Sequence, residues 1–265
     1  MQTRITHKGK TFSVDLDEPL DISIPLCTGE KNVNAYYIPP VKFEPFRFGS
    51  FTGDVNQGGS CNVNNIFFNP HGNGTHTECV GHISKEIITI NQCLKKFFFV
   101  AKVITISPEK RNGDLVITIE QIKSEFSRAT SPNSEPPTPD SIIIRTLPND
   151  DDKLTKKYSG INPPYIEEIA AKWMCENGIE HLLLDLPSVD REDDGGKLLA
   201  HHAFWKYPQT GGQTSGSSIR MNSTITELIY VPNEVVDGIY LLNIQIASFE
   251  NDASPSKPIL FRMKD

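Results

Sequence analysis

HGNGTHTECVGH, residues 71–82, sets His71, His76, Glu78 and His82 close together in a 265-residue chain with only 7 histidines. In an extended segment, side chains two apart share a face, so an extended 74–82 puts His76, Glu78 and His82 on one side. His71 lies five residues before His76 and joins them only if Gly72 and Gly74 let the backbone turn sharply. Imidazole and carboxylate in one shell suit zinc, manganese or iron better than magnesium or calcium, which prefer oxygen ligands. Any one of these histidines alone would read as a surface loop residue. Together with a carboxylate and adjacent glycines they read as a transition-metal ligand set.

Composition limits what such a site serves. With 37% apolar residues the chain can bury a sizeable core. The balance of 33 acidic against 26 basic residues gives a net charge of -7, and no basic block is long enough to track a phosphate backbone, which argues against nucleic acid as a partner. The opening MQTRITHKGKTFSVDL has no apolar h-region, and no later run approaches the roughly 20 apolar residues that span a bilayer. No membrane association and a cytoplasmic location are expected. The cysteines, Cys27, Cys61, Cys79, Cys93 and Cys175, are odd in number and form no CxxC pair, which suggests reduced thiols.

Apolar, β-branched runs predict strands at FFFVAKVITI (97–106), SIIIRT (141–146), EHLLLDL (180–186), ELIYV (227–231), GIYLLNIQIAS (238–248) and PILFRM (258–263). NPPYIEEIAAKWMCENG predicts a helix with Pro164 in its first turn, Ile166, Ile169, Ala170, Trp173 and Met174 at helical spacing, and Gly178 as the stop. TIEQIKSEFSRA (118–129) predicts a second, with Ile119, Ile122 and Phe126 as its apolar stripe. The polar stretches 130–140, 151–160 and 207–223 read as loops, there is no internal repeat, and one α/β domain over 1–265 is expected. Two further sites stand out weakly. His201 and His202 are adjacent, so at most one of them faces a metal, and the pattern does not choose between them. Glu227 lies at the mouth of a predicted strand, a common place for a functional carboxylate in a sheet protein, although such a carboxylate taken alone is more often structural.

GTHTECVGH resembles the GTHxDxPxH signature of the cyclase-like metal-dependent hydrolases, a family that includes kynurenine formamidase, isatin hydrolase and cyclic-amide hydrolases. DIS (21–23) with PLCTGE (25–30) is similar to the family's N-terminal segment. YSGINPPYIEEIAAKWMCENGIEHLLLDLPSVD is similar to its central helix, strand and DxPSxD block, LLAHHAFW to its DAHH region, and TELIYVP to the segment that supplies its last ligand. GIYLLNIQIASFENDASPSKPILF resembles its ending, so the likeness covers nearly the whole chain.

The resemblance implies a swivelling β/β/α, barrel-like α/β domain that assembles as a homo-oligomer and binds zinc or manganese, one or two ions per chain. It implies His71, His76, Glu78, His201 and Glu227 as metal ligands and His82 as proton donor and acceptor, a role suited to neutral imidazole near pH 7. The implied reaction is hydrolysis of a small-molecule amide, formamide, cyclic amide or lactone. A cation lowers the pKa of bound water toward neutrality, and the resulting hydroxide attacks the carbonyl. The alternatives weighed are a non-catalytic metal-binding protein of the same fold and a cysteine hydrolase using Cys79, whose side chain points away from the histidine face of an extended segment.

The chain departs from the signature in four places. Glu78 replaces the family's aspartate, one methylene longer, which leaves open whether it bridges two ions. Val80 replaces a proline. His71 is separated from Gly74 by two residues instead of one. Cys27 occupies the place of a substrate-stacking tryptophan in the formamidases, so it is the candidate substrate-binding residue. A thiol has no ring face, and N-formylkynurenine is expected to be a poor substrate. Phe43, Phe46, Phe48 and Phe51 could line the entrance instead, although aromatics at this density more often serve a core or an interface.

Overall fold

The computed structural model describes residues 1–128, 138–209 and 219–264. The loop read at 130–140 and the insertion read at 207–223 fall mostly outside the described residues.

The β-branched runs become strands that are covered on both faces. Phe98–Ile106, Ser141–Thr146, His181–Leu184 and Thr224–Glu227 run parallel as consecutive neighbours. Antiparallel pairs complete the circuit: Thr224–Glu227 with His76–Glu78, His76–Glu78 with Ala253–Lys264, Ala253–Lys264 with Gly238–Ile246, and Gly238–Ile246 with Phe98–Ile106. The result is a closed, 7-strand barrel in a mixed α/β architecture. Its closing strand is the shortest, and it carries His76 and Glu78.

Alternation along the strands produces two cores. Ile142, Ile144, Leu182 and Leu184 meet Ile122, Ala170 and Met174 of the helices outside the barrel. Ile143, Leu183, Ala101 and Val103 face the other way and pack with Ile229, Leu242 and Leu260. Each of the isoleucine, leucine, valine and methionine side chains among them contributes roughly 1.5–3 kcal/mol by leaving water, which is why the central parallel strands are rich in apolar residues on both faces.

The helix at Ile119–Ser127 starts where read, with Thr118 and Gln121 forming a reciprocal cap. The second helix does not begin near Pro164. Tyr165 and Ile166 are extended and pair with Val116 and Ile117, and the helix runs from Glu168 to Glu176. Ile166, assigned to the helix by spacing, is instead a buried strand residue. The expected strand 227–231 also shifts. Its ladder is Thr224–Glu227 and stops because Leu228 takes a left-handed φ of 53°, after which the N–H groups of Leu228 and Ile229 turn to Leu186 O and Leu184 O. The charged stretch 151–160 opens with a 3-10 turn, Asp151–Leu154. An antiparallel hairpin, Gln2–His7 with Lys10–Asp15, extends the sheet and has no counterpart in the sequence reading. No helix among the described residues is long and apolar enough to cross a membrane. All five cysteines are free thiols.

Candidate metal centre

Strand register assembles the middle of the site. His76 sits opposite Glu227 across the antiparallel pair, and Glu78 follows two residues on, so all three share a face. His76 Nε2 lies 3.4 Å from Glu227 Oε2 and 4.0 Å from Glu78 Oε2. His76 Nδ1–H donates to Gly74 O at 3.0 Å, which leaves the Nε2 lone pair facing the carboxylates. Glu227 is held from behind by the Val189 N–H, 2.9 Å from its Oε1.

His71 reaches the cluster on a helical turn, Pro70–Asn73, whose N-cap Asn69 accepts from the His71 N–H at 2.9 Å. The glycines act here by size and not by a sharp left-handed turn. A Cβ on Gly72 would stand 2.4 Å from Ile38 Cδ1 and 2.9 Å from Ala35 O, and one on Gly74 would stand 3.1 Å from Leu26 Cδ2. This close approach seats His71 Nδ1 3.1 Å from Glu78 Oε2 and His71 Nε2 2.8 Å from Asp252 Oδ2.

His82 arrives by a different route from the one the alternation predicts. The strand ends at Glu78, and Val80–His82 is a 3-10 turn that swings the imidazole back. His82 Nδ1 lies 3.1 Å from Asp252 Oδ2 and 3.8 Å from Glu78 Oε2. His201 comes from the helix Leu199–Trp205, with Nε2 3.0 Å from Glu78 Oε1 and Nδ1 2.6 Å from Asp190 Oδ2. Glu78 thus stands between two groups of histidines, one oxygen facing His71 and His76 and the other facing His201. The extra methylene of glutamate provides that reach.

The site is nearly dry and strongly charged. Glu78 and His76 side chains are wholly buried, while His82 is 28% exposed and marks the mouth. Burial works against a charged His71, but hydrogen bonds to Asp252 and Glu78 overcome it and push the imidazole up to about 10. His201 is raised in the same way by Asp190 and Glu78. Burial likewise opposes ionisation of Glu78, and the surrounding His82, His201 and His71 hold it well below the usual carboxylate range. Protons on His71 and His201 therefore balance the carboxylates. A cation would take over that balance as the protons leave.

The donors fit such a cation. His76 Nε2 is buried without a hydrogen-bond partner and faces Glu78 Oε2, a costly arrangement unless something beside it is bound. Three sets of ligand atoms lie within 4.8 Å of one another: His71, His76 and Glu78; Glu78, His82 and His201; and His71, His82 and Asp252. Histidine and carboxylate donors match zinc, manganese or iron.

Six of the sequence-selected residues, His71, His76, Glu78, His82, His201 and Glu227, meet in this cluster. Cys27 is half-buried, and among the described residues no hydrogen bond or ion pair joins it to them. Its N–H donates to Asn32 Oδ1, and Asn32 in turn bonds Asn73 O beside His71. His202 lies apart, with Nδ1 2.7 Å from Tyr207 O. Phe46 and Phe48 are exposed on the outlying ribbon of strands at residues 42–67. Cys79 Sγ points to Ile88 O, and a bond with the Cys93 thiol, with burial, holds its pKa far above the usual range, which removes it as a nucleophile. Asp190, Asp252 and Tyr36 were missed. Tyr36, exposed over more than a third of its surface, has a left-handed φ of 58° and donates to Pro187 O at 2.9 Å. Asp190 closes the DLPSVD block that resembles the family's DxPSxD, a signal that could have found it, whereas no local pattern distinguishes Asp252 or Tyr36 from ordinary loop residues.

The family model described as "Putative cyclase" matches residues 14–191. A search of curated proteins found no match. Among solved structures, the predicted metal-dependent hydrolase from Bacillus stearothermophilus is 15% identical with a TM-score of 0.60, over 92% of this chain and 98% of that one. Isatin hydrolase A from Labrenzia aggregata is 13% identical with a TM-score of 0.62, over 92% and 93%. Isatin hydrolase A from Ralstonia solanacearum is 12% identical with a TM-score of 0.61, over 92% and 91%. At these identities the likeness establishes a shared fold, and the family match over residues 14–191 places the protein: the chain belongs to the Cyclase family.

Proposed function

We propose that this protein is a metal-dependent hydrolase of a small amide, formamide, cyclic amide or lactone. The observation that carries the reading is the buried, unpartnered His76 Nε2, which faces Glu78 Oε2 inside a cluster of four histidines and several carboxylates. The metal-dependent hydrolase and isatin hydrolase names of the fold relatives support the choice of reaction.

His71, His76, Glu78, His201 and Glu227 would hold zinc or manganese. When bound, such an ion acidifies water and polarises a carbonyl. The protein contributes orientation. Gly74 O fixes the tautomer of His76 and Asp190 that of His201, so each ring presents a lone pair to the site. His82 stands at the exposed edge with Nε2 unpartnered among the described residues, the position for accepting a proton from water and returning it to the departing nitrogen or oxygen. Burial of Glu78 and His76 excludes bulk water and strengthens each of these interactions.

The test combines elemental analysis of protein purified without chelator with turnover of a panel of cyclic amides, imides, lactones and N-formylkynurenine. Stoichiometric zinc or manganese and hydrolysis of a cyclic substrate are expected. A metal-free protein that hydrolyses the panel equally well would overturn the metal role, and a loaded protein that hydrolyses none of it would overturn the reaction.

A further inference from the structure

We infer that Asp252 is the positioning residue for His82: it accepts a hydrogen bond from the Nδ1–H of that ring, and so directs the Nε2 lone pair to the substrate side. The inference rests on the hydrolase reading and adds to it a residue that no sequence motif marks.

One carboxylate oxygen serves two imidazoles. Asp252 Oδ2 lies 3.1 Å from His82 Nδ1 and 2.8 Å from His71 Nε2. An ionised carboxylate only accepts hydrogen bonds, so both facing nitrogens carry the proton. In neutral His82 the lone pair is then on Nε2, which has no partner among the described residues. Glu78 Oε2 is the other anion near the same nitrogen, but at 3.8 Å it is beyond a hydrogen bond. The choice of tautomer therefore falls to Asp252. The His71 and His82 rings lie 4.4 Å apart between centroids, so this one side chain also sets the spacing between a candidate ligand and the proton carrier.

The backbone around Asp252 is built to hold that position. Its carbonyl accepts from the Cys79 N–H at 3.0 Å, and the preceding carbonyl of Asn251 accepts from the Ile90 N–H at 2.7 Å. Glu250 accepts from Thr89 Oγ1 at 2.8 Å, and Ala253 pairs directly with Glu78 in the barrel. The segments bonded to this loop are those on either side of the His82 turn. A carboxylate fixed in this way keeps an imidazole in one orientation through a reaction cycle.

The experiment uses the full-length zinc-loaded protein and has two arms. In the first, imidazole-nitrogen NMR of the wild type should show His82 protonated at Nδ1 and unprotonated at Nε2. A ring carrying its neutral-state proton on Nε2 overturns the inference, whatever the fate of any variant. In the second, Asp252→Asn, His82→Ala and the double variant are compared on the substrate found in the panel. Asp252→Asn should keep zinc and lower kcat by about 10²-fold with KM little changed, and the double variant should be no slower than His82→Ala alone, as expected of residues acting as a unit. Losses that multiply in the double variant overturn the inference, because Asp252 would then act independently of His82. If the loaded wild type hydrolyses nothing, the hydrolase reading fails, and the NMR arm still decides whether Asp252 sets the tautomer.

Discussion

His201 Nδ1 lies 2.6 Å from Asp190 Oδ2, and the same carboxylate accepts the N–H groups of Ala200 and His201 at 2.7 and 3.2 Å. Asp190 thus caps the start of the helix Leu199–Trp205 and aims its histidine at Glu78 in one arrangement. Asp190→Asn should weaken zinc or manganese binding by about 10–100-fold. Chelator competition on the purified variant checks it, and an unchanged affinity would show that His201 needs no orienting partner.

Metal loading and turnover should separate along the chain. His76→Ala and Glu78→Ala remove a buried donor and should abolish stoichiometric metal, whereas His82→Ala should retain most of it and lose about 10²–10⁴ in rate. Elemental analysis beside a turnover assay distinguishes the two. Equal metal loss in His76→Ala and His82→Ala would place His82 among the ligands.

The adjacent histidines should behave differently. His201 is buried against Glu78, whereas the His202 ring bonds the Tyr207 carbonyl at the helix end. His201→Ala should cost activity and metal, while His202→Ala should cost about 0.5–1.5 kcal/mol of stability for one lost hydrogen bond and leave the metal in place. Thermal melts and metal analysis of both variants provide the comparison, with the reverse ranking counting against the site.

Acid should destabilise the fold partly through His181. This histidine is outside the cluster, buried with Nδ1 2.8 Å from Thr224 Oγ1. Burial, with Arg220 nearby, pushes it down to about 3. The unfolded chain binds its proton near pH 6.5 and the folded chain does not, so stability is full above that pH and falls as pH drops toward 3, at up to about 1.4 kcal/mol per pH unit. Denaturant unfolding of wild type and His181→Gln between pH 7 and about 4 tests this. The variant should show the shallower acid loss.

Gly72→Ala should damage the site without touching a candidate ligand. The added methyl meets Ile38 and Ala35 O, and relieving that clash moves the turn that carries His71. A cost of about 1–3 kcal/mol and weaker metal binding are expected, read by melting temperature and chelator titration. A fully loaded variant of wild-type stability would show that the turn tolerates a side chain.

Much of this protein is written locally. The runs at 97–106, 141–146 and 238–248 are dominated by apolar and β-branched residues on both faces, so a fold that buries them must cover both sides, and they supply strands of the barrel. HGNGTHTECVGH likewise announced its histidines through residue type and spacing, because donors of one metal shell cluster in sequence when a short strand and its turns supply them. Tertiary structure decided the rest. Pairing with Val116 and Ile117 made Tyr165 and Ile166 a strand despite helical spacing, and a 3-10 turn, not alternation, brought His82 back. Glu227 joined His76 only through cross-strand register, His201 was separated from His202 only by its place on a helix that Asp190 caps, and Asp252 reached His71 and His82 from a loop far along the chain. Local sequence specifies periodicity and turn chemistry. Which carboxylate ends beside which imidazole depends on long-range pairing, and in a closed barrel every register is set by the strands on both sides.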